Sequence, residues 1–281
     1  MSRMAYRQFS EPRQQSLPHR YWRPHFLDLI MSQSFAVILL AVLLGCFVKG
    51  ALGFGLPLIA TPIMLFVMPL PEIVAVLALP ILIANIQQMW LNRAHWRVMQ
   101  KFWPLVTAST LIMLTGSTLM VTLDGHILAI MIGTLIASHA LLSLSPVKPI
   151  HMAPLPISTL NRLIIPAGMM SGILGALTSM YSFPSLQLFL SMRIAKDDLA
   201  FLLGVFLSLG YVAIWLGIRQ AGFPVGDSMV LSLLVLLPAI LGQQLGDRAR
   251  RRISEAVFRK LVHFALACGG ITLIIKSLSD F

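Results

Sequence analysis

Acidic side chains are scarce in this chain, and none lies in the middle of an apolar stretch. The ten are Glu11, Asp28, Glu72, Asp124, Asp197, Asp198, Asp227, Asp247, Glu255 and Asp280, all near the N-terminus, between apolar runs or at their ends. Charged residues of both signs make up 11% of the 281, against about a quarter in soluble domains. The two cysteines, Cys46 and Cys268, both sit inside apolar segments, which argues against a disulfide framework. No Cys/His cluster suggests a metal, and no phosphate-cradling glycine loop suggests a nucleotide. An intramembrane serine protease would call for Gly-x-Ser-Gly with a partner histidine, but "MMSG" at Met169–Gly172 lacks the first glycine. The expectation is no enzyme and no cofactor.

Hydrophobicity is what the chain has in excess. Apolar types supply 57% of the residues, and the mean hydropathy is +0.85. Long apolar runs cover Phe35–Val48, Ile73–Leu91, Leu105–Leu123, Ile127–Leu144, Leu163–Leu177, Leu199–Gly217, Met229–Leu245 and Leu261–Ile275. A helix of roughly 20 apolar residues crosses a hydrocarbon core of about 30 Å. The pattern predicts an all-α polytopic protein of the cell membrane, with the lipid bilayer as its main partner. The formal charge of +11 does not point to nucleic acid. Its lysines and arginines lie between apolar runs, as loops at a headgroup surface require.

The opening segment, residues 1–33, is rich in Arg, Gln and Pro without helical period and reads as a disordered tail. "MSQS" at Met31 would also serve as a start. "LLGC" at Leu43–Cys46 superficially matches a lipoprotein cleavage site, but Leu44 is bulky there, and the segment reads as a retained first helix.

Glycine and proline interrupt the apolar runs at two places. "GALGFGLPLIATP" (Gly50–Pro62) aligns with "GILGALTSMYSFP" (Gly172–Pro184) at an offset of 122: Gly50 on Gly172, Gly53 on Gly175, Pro62 on Pro184. Trp90 and Trp215 follow at 125. The chain therefore divides into a first transmembrane repeat (34–144), a connecting loop (145–161) and a second repeat (162–281). Each half reads as a glycine-broken helix pair followed by three longer helices, an odd count that makes the halves inverted, with about eight to ten segments in all. The loops at Asn92–Lys101, Ser145–Asn161, Arg193–Lys196 and Gly246–Ser254 then share one side and carry most of the basic residues, including "RARRR" at Arg248–Arg252. The positive-inside rule places them in the cytoplasm and both termini outside, although Arg20 and Arg23 argue the other way.

In hydrocarbon an unpaired backbone polar group costs several kcal/mol, so a helix is broken only where protein or a water-lined cavity receives the break. A helix that restarts there presents free N–H groups and a positive dipole end, which favour an anion. The absence of an intramembrane carboxylate agrees, since such a group commonly binds a driving cation. Lys49 is a candidate counter-charge or a snorkelling lysine. Thr178, Ser179, Tyr181 and Ser182 crowd the second break with hydroxyls. Asn85, Gln87, Gln88 and Gln187 are candidates for substrate contact or for interhelical hydrogen bonds. His139 and His263 suit a proton relay or a helix–helix bond.

Together the two glycine motifs, with a Pro- and Asn-bearing helix after the first and "SGILGALTSMYSFPSLQLFL" in the second, resemble the TauE/SafE sulfite exporter family, also called toluene-sulfonate uptake permeases. The resemblance spans about residues 34–277. It implies a secondary transporter of a small sulfur-containing or organic anion such as sulfite, a sulfonate or sulfoacetate. Carried over, its first motif falls on Gly53, Phe54, Gly55 and Pro62, and its second on Gly172, Gly175, Thr178, Ser179 and Pro184. Which anion, the direction, a coupling ion (proton or sodium) and homo-oligomerisation stay open, with an anion channel as the alternative function. The topology is testable: cysteines placed at Arg97 and Arg250 should be labelled from the same side of the membrane, and labelling from opposite sides overturns the inverted arrangement.

Overall fold

The structure is a computed structural model that describes residues 33–144, 156–250 and 255–279. Residues 1–32 of the proposed tail, residues 145–155 of the connecting loop, Arg251 and Arg252 lie outside the described residues, as do the side chains of Arg250 and His263; Gln33, the last residue of the proposed tail, is already helical. Every regular element among the described residues is a helix.

Helix α1 (Gln33–Leu52) continues through Gly45 and Gly50 and ends at Gly53, whose φ is +85°. Phe54 and a second left-handed glycine, Gly55 (φ +110°), turn the chain into α2 (Leu56–Met64). Pro57 sits in the first turn of α2, where its missing N–H costs nothing. Helix α3 (Leu70–Leu91) starts on Pro69 and Pro71 with Glu72 in its first turn, a favourable site for negative charge. A 3-10 turn at Arg93–Val98 leads to α4 (Met99–Gly116), the short α5 (Leu119–Thr122) and α6 (Gly125–Leu144). The second half begins with α7 (Ile157–Arg162) and α8 (Ile164–Thr178), which stops at a left-handed Ser179. It continues with α9 (Ser182–Ser191), α10 (Lys196–Gln220), α11 (Asp227–Leu234), α12 (Leu236–Arg250) and α13 (Glu255–Ser279).

Among the described residues, four stretches are long and apolar enough to cross a membrane: Ser34–Leu52, Leu70–Leu91, Arg93–Thr122 and Lys196–Gln220. Helices α11 and α12, bent by 40° at Val235, qualify together as a fifth. Shorter apolar helices lie at Gly125–Leu141, Ile164–Thr178 and Leu266–Leu278. Large apolar side chains such as Leu111, Leu119, Ile165, Ile173 and Leu237 are exposed around the bundle. Such a surface suits lipid and not water. Trp90, Trp96 and Trp103 are exposed beside Arg93, Arg97 and Lys101, with the Arg93 guanidinium 5.0 Å from the Trp90 ring centroid, as at a membrane–water interface. This is a multi-pass membrane protein.

The helix boundaries repeat at an offset of 126: α1 and α8 end at Leu52 and Thr178, α2 and α9 begin at Leu56 and Ser182, α3 and α10 begin at Leu70 and Lys196. The register read from the glycines, 122, is therefore wrong by four residues. Four residues is about one helical turn, which keeps each residue on the same face, so the motif alignment hid the slip. Packing is reciprocal in the new register. Helix α3 lies against its counterpart α10, and α6 against α13.

Each broken helix also packs closely on the opposite half, through glycine. A side chain at Gly168 would meet the Leu105 backbone of α4, at 2.9 Å from its Cα. On the other side, Gly242 and Gly246 of α12 lie against the carbonyls of Leu43 and Phe47 in α1. Small residues at such crossings let backbones approach where no hydrophobic drive between helices exists. A larger residue has nowhere to go. Gly246→Val should lower the thermal midpoint in detergent, with overpacking costing about 1–3 kcal/mol or more. Gly269→Ala, where an added Cβ meets nothing within 4 Å, should leave it unchanged.

Candidate functional site

The two breaks face each other. One cavity, of about 30 Å³, is lined by Phe54, Gly55, Leu56, Pro57 and Leu58 from the first break and by Ser179, Met180, Tyr181, Ser182 and Phe183 from the second. Lys49, Ile81, Asn85 and Leu207 complete it from α1, α3 and α10. The first turns of α2 and α9 both contribute to its wall, and N–H groups in a first helical turn have no intrahelical acceptor. Proline removes some of these donors at Pro57 and Pro184, and Ser185 N–H donates to the Ser171 hydroxyl at 3.3 Å. Those left at the α2 and α9 starts belong to Leu56, Leu58, Ser182 and Phe183.

Lys49 supplies the charge. It sits on the last turn of α1, is 5% exposed, and donates to the Asn85 carboxamide oxygen on α3. Its partner is neutral. The Asp198 carboxylate lies elsewhere, 2.8 Å from His95 Nδ1 at a partly exposed site. An ammonium taken out of water costs several kcal/mol unless an opposite charge or hydrogen bonds offset it, and Asn85 offers a single acceptor. The cavity beside it offers donors.

Tyr181 forms the opposite wall. Its hydroxyl donates to the Leu207 carbonyl at 2.5 Å, and its ring stacks edge-on to Phe206. A Cβ on Gly175 would lie 2.7 Å from Tyr181 Cβ, and one on Gly210 would lie 2.6 Å from the ring. In the 126 register Gly175 is the counterpart of Lys49 and Tyr211 that of Asn85. Tyr211 is buried and donates to the Val74 carbonyl at 2.9 Å. One half therefore carries a lysine bonded to a neutral amide where the other carries a glycine and a tyrosine.

Of the residues singled out from sequence, the structure brings Lys49, Phe54, Gly55, Asn85, Ser179 and Tyr181 to the cavity, with Ser182 beside them. Gly53 shapes the turn without lining it. Thr178 closes α8, donating to the Leu174 carbonyl at 2.6 Å and accepting from Met180 N–H at 3.2 Å. Gly172 lies against Ser109 and Ile112 of α4, and Gly50 against Gln243 and Asp247 of α12. Pro62 is buried within α2. Gln88 donates to the Ala200 carbonyl at 3.0 Å, tying α3 to α10, and Gln187 is exposed. Pro184 lies in the first turn of α9. His139 stands behind the wall, its ring centroid 4.0 Å from that of Phe183. Leu207, Ile81 and Phe183 were missed. Ile81 and Leu207 are apolar residues of continuous helical runs, and Phe183 is an apolar residue among the hydroxyls of the second break; only the fold says that they face the cavity.

A family model described as "Sulfite exporter TauE/SafE" matches residues 37–273. No curated protein and no solved structure matches the chain.

Ser179 adopts φ +59° at the position of Gly53 in the other half. A side chain in that region costs about 1–2 kcal/mol. Ser179→Gly should therefore raise the melting midpoint in detergent by about 2–4 °C, and Ser179→Val should lower it.

Proposed function

The chain belongs to the sulfite exporter TauE/SafE family of membrane transporters, and we propose that it carries a small sulfur oxyanion by alternating access around the cavity between the two breaks. The observation that carries the reading is Lys49, buried at the cavity with a neutral partner. An oxyanion bound there receives the ammonium, the Asn85 amide and helix N–H groups, each a donor to negative oxygen. It also supplies the opposite charge that the ammonium otherwise lacks.

The volume narrows the substrate. A water-sized group needs about 10–15 Å³ of such space, so the cavity takes roughly two or three. That suits sulfite or a comparably small oxyanion better than an aromatic sulfonate. Dipoles and one charge hold the anion without enclosing it in counter-charges, which keeps release within reach. The reciprocal pairing of α3 with α10 and of α6 with α13 supports two inverted repeats, the framework on which alternating access is commonly built.

Lys49→Met keeps the apolar stem and removes the charge. In proteoliposomes it should reduce sulfite flux at least tenfold, in line with about 1.5–3 kcal/mol for a hydrogen bond to a charged group, while Lys49→Arg should retain part of it. Sulfite should also raise the thermal midpoint of the parent protein and not that of Lys49→Met. Normal flux in Lys49→Met at normal abundance overturns the proposal.

A further inference from the structure

A second cavity, of about 140 Å³, lies between α1, α3 and α12. Cys46, Ala84, Gln87, Ala239, Gln243 and Asp247 are among its lining residues. It adjoins the Lys49 cavity, because Cys46 is one turn before Lys49 on α1 and Ala84 precedes Asn85 on α3. The Lys49–Asn85 hydrogen bond joins α1 to α3 between the two spaces.

The same place in the other half is shut. In the 126 register Ala239 and Gln243 of α12 correspond to Met113 of α4 and to Ser117 just past its end, and α10 takes the place of α3. There the helices touch. Ser117 Oγ donates to the Ile214 carbonyl at 3.3 Å. A Cβ on Gly210 would lie 3.0 Å from Met113 Sδ, and one on Gly217 would collide with the Ser117 hydroxyl. The difference follows helix shape. Helix α4 is continuous from Met99 to Gly116, whereas its counterpart is bent by 40° at Val235. The part before the bend stays on α3, where Ser232 Oγ accepts from Leu79 N–H at 3.2 Å. The part after it, α12, barely touches α3.

We propose that the groove between α3 and α12 is one of two alternating access paths for a hydrated small anion, and that the second is latent in the seam between α4 and α10. It opens when the halves exchange shapes: α4 bends near Ser109, the counterpart of Val235, while α12 straightens onto α3. This rests on the carrier reading of the Lys49 cavity and adds the residues of the closed path. They are Thr110, Ser117, Gly210 and Ala213, the counterparts of Leu236, Gln243, Ala84 and Gln87. Thr110 already fits the role. Its hydroxyl is buried without a hydrogen-bond partner, a cost that water in an open seam would remove. At about 140 Å³ the open groove holds roughly ten waters, enough for an anion to pass the Asp247 carboxylate with its hydration. The groove lies toward the C-terminal ends of α3 and α12, and the latent path toward the C-terminal end of α4, so the inverted topology puts their mouths on opposite sides.

The test is accessibility, read separately from transport. In a Cys46→Ser/Cys268→Ser background, Gln87→Cys and Gln243→Cys are joined across the groove with a short cross-linker. Thr110→Cys, or in a second protein Ala213→Cys, then reports through a membrane-impermeant maleimide. Clamping the groove should raise labelling of either reporter at least threefold. A wedge in the groove, Ala239→Phe, should lower it. Labelling indifferent to clamp and wedge overturns the proposal, as does a Gln87/Gln243 pair that never cross-links, since closure must bring α12 to α3. If the labelling shifts as expected while Lys49→Met carries sulfite normally, the anion site is wrong and the exchange of shapes stands.

Discussion

The constraint on which everything else depends is that backbone N–H and C=O groups cannot be left open to hydrocarbon. Two helices stop within this bundle, at Leu52 and at Thr178, and the structure brings both stops to one interior cavity. Once that is required, much of the architecture follows. Helices α3 and α10, the most buried of the spans, pack on each other behind the breaks. The broken helices are held by glycine crossings onto α4 and α12, because nothing wider allows their ends to reach the centre. The Thr178 hydroxyl and the Ser171–Ser185 pair, 2.7 Å apart, take up backbone and side-chain polarity beside the second break.

The helical membrane class was legible in the sequence because hydrophobic length is a direct physical requirement of the bilayer. The breaks were legible too, since glycine and proline act on the backbone itself. Register was not. Gly50, Gly53, Gly172 and Gly175 repeat at helical spacing, so an alignment one turn out still superposes glycines that serve different ends: Gly53 bends the chain, while Gly175 makes room for Tyr181. The helix ends, at Gly53 on one side and Ser179 on the other, recur at an offset of 126 instead, and a serine in a left-handed turn leaves little trace in a sequence.

Lys49 shows the other limit. A lysine near the end of an apolar run has two ordinary fates, reaching the headgroups or turning inward, and sequence spacing is the same for both. The partner decides. Asn85 lies 36 residues away on α3, and only the fold brings the two together. Gln88, three residues further along, turns instead to the Ala200 carbonyl, a distinction that the helical run from Leu70 to Leu91 does not encode.

The counterpart of Lys49 is Gly175, so the two halves differ in charge at the cavity as well as in helix shape. In the proposed carrier the site holds one positive charge when empty and none in sum when a monovalent anion sits beside Lys49. Membrane voltage then acts on the empty form as it reorients and spares the loaded one. The work involved is about 2.3 kcal/mol per elementary charge for each 100 mV crossed. On that proposal the resting potential of the cell biases the return stroke, and with it the side on which an unloaded site waits.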